Sequence, residues 1–120
     1  MQKIEFVVIN DQGSKDMKLL DDKYILLYYF LTTFRSKFDL PQLIVDFKSI
    51  EKGERTFEEI QESDSYLNFG SDSGYIVLDK ETAHFISNHP EIEPSFDMPL
   101  KELITLMNEW REFLESGAVA

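Results

Sequence analysis

The chain has 120 residues, 42% of them hydrophobic, and 23 acidic against 12 basic side chains give it a net charge of −11. Its ten Phe residues exclude a disordered acidic tail, and its lack of Cys excludes disulfides, thiolate nucleophiles and Cys-based metal sites. The charge disfavours nucleic acid and anionic membranes as partners and favours a basic protein. The length suits one domain spanning residues 1–120 with a single modest core. The opening MQKIEFVVIN does not read as a signal peptide, and YILLYYFL (24–31) is too short to span a bilayer. A soluble, cytoplasmic protein is therefore expected.

In chain order, KIEFVVIN (3–10) is β-branched and aromatic and predicts a strand, which DQGS closes. From Asp16 to Phe38 no Gly or Pro intervenes. Leu19, Leu20, Tyr24, Leu27, Leu31, Phe34 and Phe38 recur mostly at three- and four-residue spacing. That spacing predicts a long helix, with a strand over 24–31 as the competing reading, and Pro41 ends the segment. LIVDFKSI (43–50), EKGE (51–54) and RTFEEIQES (55–63) read as a hairpin; Glu58, Glu59 and Glu62 also suit a short helix. SYLNF (65–69), GYIVLD (74–79) and AHFISN (83–88) follow at short spacing as an antiparallel meander.

HPEIEPSFDMP (89–99) reads as a proline-punctuated loop. Beyond it Leu100, Leu103, Ile104, Met107, Trp110 and Leu114 mark the clearest helical stripe in the chain. Asp97 is placed to cap that helix, Pro99 falls in its first turn, and Trp110 should anchor it to the core. The expected fold is α+β: one antiparallel sheet of about five to six strands, with a long helix from the N-terminal half and a C-terminal helix packed on it.

The candidate chemistry is sparse. GSDSG (70–74) contains an Asp-Ser-Gly triplet, but a nucleophile elbow needs Ser at the centre of the motif, where this chain has Asp72, and a helix after it, where this chain has YIVL. The stretch reads as a strand-to-strand turn. His84 and His89 are five residues apart with no third ligand defined by spacing, and no phosphate-binding glycine loop occurs. No catalytic residue, metal or cofactor is predicted.

What stands out is acidity by position. Glu51, Glu54, Glu58, Glu59, Glu62 and Asp64 fall within fourteen residues, with Asp72 and Asp79 on the adjoining meander. Together they predict a patch facing a basic partner, with Tyr66 and Phe69 as candidate aromatic anchors beside it. Solvated edge charge that keeps strands from pairing is the alternative.

The run YLNFGSDSGYIVLDKETAHFISN, followed by PLKELITLMNEWREFLES, resembles small bacterial immunity proteins that neutralise polymorphic toxins such as those of contact-dependent growth inhibition. The SUKH-type superfamily is the nearest comparison. Its Gly/Asp turn, strand ending in aspartate, tight turn, further strand and closing helix correspond to Gly70–Gly74, Tyr75–Asp79, Lys80–Thr82, Ala83–Asn88 and Leu100–Leu114. That pattern usually opens with a helix, whereas this chain opens with a strand. The resemblance implies a non-enzymatic inhibitor that binds the C-terminal domain of a cognate toxin, commonly a nuclease. The rival expectation is a small acidic regulatory or adaptor domain without catalytic activity. Oligomeric state is open, because the edge of the first strand can pair with a twin.

Overall fold

The computed structural model describes residues 3–8, 15–33, 39–63 and 74–115. Strands β1 (Ile4–Val8) and β2 (Lys15–Leu19) form one antiparallel pair; β3 (Gly74–Leu78), β4 (Thr82–Ser87) and β5 (Phe96–Pro99) form a second, three-stranded antiparallel sheet in that order. Helices α1 (Ile25–Thr33), α2 (Asp39–Glu51), α3 (Phe57–Ser63) and α4 (Leu100–Glu115) complete the α+β fold. Among the described residues no helix is long and apolar enough to cross a membrane.

Instead of the expected single sheet of five to six strands, the described residues form two sheets, of two and three strands. The predicted helix from Asp16 is the first departure. Met17 is buried and Lys18 exposed, the alternation of a strand, and β2 pairs with β1 from Ile4↔Leu19 to Val8↔Lys15. Asp21 then accepts from the Lys23 amide and starts a 3₁₀ turn at Asp22–Tyr24, so α1 begins only at Ile25. Within α1, Leu26, Leu27, Phe30 and Leu31 are fully buried, which settles 24–31 as helix rather than strand for most of its length.

The hairpin expected over 43–62 is two helices. Leu40, Leu43, Ile44, Phe47 and Ile50 are buried at three- and four-residue spacing, while Val45, between them, is 60% exposed. Pro41 does not end a helix; it lies in the first turn of α2, where its missing N–H has no intrahelical acceptor to serve. EKGE is a turn, but one that stops a helix. Gly53 has φ +77°, its N–H donates to the Ile50 carbonyl, and the Glu54 N–H donates to the Ser49 carbonyl at 2.9 Å. That bond pair is a Schellman cap, and its left-handed residue favours Gly. Thr56 and Glu59 then open α3 with a reciprocal capping box, each side chain accepting from the other's amide.

Strands β3 and β4 form where expected, in register from Gly74↔Ser87 to Leu78↔Ala83. A Cβ at Gly74 would run into the Ile86 carbonyl, so the close approach of these strands requires glycine there. The strand expected at 65–69 lies outside the described residues. β5, in the segment read as a loop, alternates buried Phe96 and Met98 with exposed Asp97 and Pro99. The Leu100 N–H donates to the Glu81 carbonyl at 2.9 Å, and these residues are direct partners in the β4–β5 register. Bonded pairs therefore alternate as 81/100, 83/98 and 85/96, and Pro99 falls where its absent N–H would point away from β4.

α4 starts at Leu100 and buries Leu103, Ile104, Met107 and Trp110. Trp110 is the expected anchor. Its Nε1 donates to the Leu31 carbonyl of α1 at 2.9 Å, and its ring lies 5.3 Å from Phe6. Phe30 links the layers, 6.0 Å from Phe47 and 5.8 Å from Phe85, and Phe85 stacks on Phe96 at 4.8 Å.

Candidate functional site

Four of the carboxylates singled out in the sequence lie at one end of the molecule, about two turns. The Schellman cap at Gly53 ends α2, and the β3–β4 turn stands against it. Asp79 Oδ1 builds that second turn by accepting from the amides of Glu81 (2.9 Å) and Thr82 (2.8 Å). Lys80, at its tip, reaches to within contact distance of Gly53, 3.7 Å from where a Cβ would stand. A depression of about 320 Å³ between the turns is lined by Glu58 and Asp79 together with Arg55, Phe57 and Lys80. An adjoining recess is lined by Glu51, Lys80, Glu81 and Lys101.

Four predicted site residues are thus brought to this end: Glu51, Glu58 and Asp79 around Lys80, and Glu54 exposed in the Gly53 turn. Glu59 is exposed as well, but its carboxylate is committed to the capping box. The side chain of Glu62, and all of Asp64, Tyr66 and Asp72, lie outside the described residues, as does Phe69. The patch is not uniformly acidic, since Lys80, Lys101 and Arg55 interleave with the carboxylates. Arg55 is partly withdrawn from it: its Nη1 lies 3.4 Å from Oδ1 of Asp46, a carboxylate only 1% exposed that also accepts from Gln42 at 3.0 Å.

A second constellation shares Asp79. The His84 ring is held on both sides, Nδ1 2.8 Å from Asp97 and Nε2 3.0 Å from Asp79. His84 and Asp97 are partners at a non-bonded position of the β4–β5 ladder, where facing side chains come closest. The hydrogen bond to Asp79 first, and then that to Asp97, raise the His84 pKa above its ordinary value against the opposing effect of burial. The Asp79 carboxyl is lowered in turn, by His84 first and then by the two turn amides. A protonated imidazole with both nitrogens turned to carboxylates donates to each, an electrostatic clip across the sheet.

Ser73 and the rest of the GSDS turn lie outside the described residues, and a strand, not a helix, follows at Gly74. Among the described residues no group of His, Asp or Glu side chains is placed to hold a metal ion.

Asp97 and Glu81 are members of this end that the sequence reading passed over. Asp97 was expected to cap α4 and instead meets His84; the alternation of F-D-M-P was the signal that put it on a strand, on the same face as His84. These features define a small α+β protein with an acidic, cation-laced end and a pinned histidine. No family model matches the chain, and neither does any curated protein or solved structure.

Proposed function

We propose that this chain is an immunity protein: a non-catalytic inhibitor that binds a basic cognate toxin domain, of nuclease type, in the cytoplasm of the cell that makes the toxin. The observation that carries the reading is the collection of Glu51, Glu54, Glu58 and Asp79 at one end of a chain of net charge −11. A nuclease presents a basic cleft to phosphate, and a surface of opposite sign accelerates encounter with such a cleft. The resemblance of residues 66–88 and 99–116 to immunity proteins points the same way.

The reading is tested by pull-down of the tagged chain from its native lysate at low and moderate salt, followed by association kinetics with the retained partner. A stoichiometric basic toxin domain is expected, and Glu54→Lys with Glu58→Lys should slow association by about tenfold while leaving the fold intact. Retention of no basic partner, or an unchanged association rate, overturns it. The interleaving of Lys80, Arg55 and Lys101 favours a second reading, an adaptor whose acidity serves solubility. That reading predicts a partner whose binding the charge reversals leave unaltered.

A further inference from the structure

His84 stands on the outward face of the three-stranded sheet. Val77 and, diagonally, Tyr75 flank it from β3, Asp97 faces it from β5, and Thr82 and Ile86 are its neighbours on that face of β4. α1 packs on the opposite face, where Phe30 meets Phe85. Lys80 and Glu81 stand beyond Asp79 in the β3–β4 turn. Among the described residues, the charged groups that act on the ring are Asp79 and Asp97.

Those two carboxylates are held unequally. Asp79 Oδ1 is anchored by the Glu81 and Thr82 amides whatever the ring does, while Oδ2 meets His84 at 3.0 Å. Among the described residues the Asp97 carboxylate has the ring alone, at 2.8 Å. A protonated imidazole donates to both, whereas a neutral one keeps a single N–H and turns a lone pair to the other carboxylate. Loss of the proton therefore breaks one of the two bonds and leaves the three groups with two net negative charges in place of one. The added charge falls beside the acidic end. Asp79 lines the depression of Arg55 and Glu58. Asp97 and Thr82 line a shallow recess of about 430 Å³, which shares Glu81 with the recess of Glu51, Lys80 and Lys101.

We infer that His84 is a proton-operated clasp that regulates docking of a basic protein at the Gly53–Lys80 end. Protonated, it holds Asp79 and Asp97 and masks their charge; neutral, it releases one of them to the partner's Lys or Arg side chains, and its proton passes to solvent. Both hydrogen bonds favour the charged ring, so the clasp opens above the ordinary histidine value. By linkage, a docked cation lowers the His84 pKa by the logarithm of the affinity gained on opening. The inference rests on the reading of that end as a surface for a basic partner, and not on the partner's being a toxin.

The experiment titrates the ¹³C,¹⁵N-labelled full chain with a blocked tetralysine peptide, whose amines stay charged, at about pH 5.5 and about pH 9. Binding, followed at the amides of residues 52–58 and 79–82, is expected to be about threefold tighter at the higher pH. Saturating peptide should lower the His84 pKa, read from its ring carbon shifts, by about 0.5. His84→Gln should remove the pH dependence, and His84→Lys, a cation at both pH values, should hold binding at the weaker level. His89 lies beyond the opposite end of β4 and is kept in both variants, so any contribution from it persists in His84→Gln. Equal affinity at the two pH values, with the peptide bound at residues 52–58, overturns the inference and spares the reading of that end as a docking surface. A pH dependence that survives in His84→Gln overturns it too, and absence of binding at either pH overturns both. A clasp that works as expected while the lysate yields no toxin domain sinks the immunity reading alone.

Discussion

The segments 15–63 and 74–115 are both rich in apolar residues, yet they expose them differently. In the second segment each element has a wet face. α4 buries Leu103, Ile104, Met107 and Trp110 and turns Lys101, Glu109 and Glu112 to solvent, while β3 alternates buried Gly74, Ile76 and Leu78 with exposed Tyr75 and half-buried Val77. In the first segment α1 is nearly encircled: Leu26, Leu27, Phe30 and Leu31 are all at 0% exposure and Ile25, Tyr28 and Tyr29 are half-buried. Periodicity is a contrast between faces, and an element wetted on one side displays its period where an encircled one cannot.

The strongest challenge to that contrast is to ask whether the two segments stand or fall together. Trp110 joins them, with its indole N–H on the Leu31 carbonyl of α1 and its ring against Phe6 of β1. Trp110→Ala is expected to destabilise the protein by about 3–5 kcal/mol, through lost burial and the lost indole hydrogen bond. Thermal unfolding followed by far-ultraviolet circular dichroism and by tyrosine fluorescence should show one shared transition, shifted down as a unit. Two separated transitions would mean that the encircled helix and the wet-faced sheet are independent cores, and the contrast would then be one of domains.

What the sequence made legible follows the same line only in part, because α2, β2 and β5 also have a wet face and yet read as something else. β1, β3, β4, α4 and the anchoring of Trp110 were readable, because each has a two- or 3.6-residue alternation of wet and dry positions. β2 was lost because Leu19 and Leu20 fit a helical spacing just before the Asp21–Asp22 break; Met17 against Lys18 was the weaker signal. β5 was lost because four residues ending in proline look like loop until the ladder shows that Pro99 gives up no bond. LIVDFKSI was read as a strand because β-branched and aromatic residues crowd its helical stripe; the Thr56–Glu59 capping box downstream was the sign of helix. The gathering of Glu51, Glu54, Glu58 and Asp79 was anticipated, but for a hairpin's reason, and two helical caps and an Asp-built turn produce it instead. The meeting of His84 with Asp97 depends on the β4–β5 register, which no local pattern encodes.

A smaller effect sharpens the picture on the sheet side, where charge rather than burial ties the strands. His84 has a pKa raised by Asp79 and Asp97, so its contribution to stability is fully present below its unfolded value of 6.5 and is lost as pH rises through the higher folded value. Asp79 has a lowered pKa, so its contribution is present above 3.8 and is lost as pH falls through the folded value. The clip is therefore strongest between about pH 4 and 6.5 and loosens on the alkaline side first. All three groups are substantially exposed, which holds the effect to under about 1 kcal/mol. Midpoint temperatures measured from pH 5 to 9 should fall more steeply in the wild type than in His84→Gln. Equal slopes would remove the clip from the account of how β5 is held.

The smallest expected effect is the most discriminating, because it separates the helix from the strand at a single position. In an alternating strand Leu43, Val45 and Phe47 share one face, so a charge at Val45 would be driven into the core beside the other two. In α2, positions 43 and 47 lie one turn apart on the buried face, and position 45 points away; Leu43 and Phe47 are at 0% exposure and Val45 is at 60%. Val45→Lys is therefore expected to change stability by no more than about 0.5 kcal/mol in urea denaturation. It removes a β-branched residue from a helix and adds a better helix former, which leans the sign towards stabilisation. A loss of several kcal/mol would mean that Val45 is packed, and that 43–50 pairs as a strand after all. The collection of Glu51, Glu54 and Glu58 would then need a different explanation, since it rests on the helix stop at Gly53 and the helix start at Thr56.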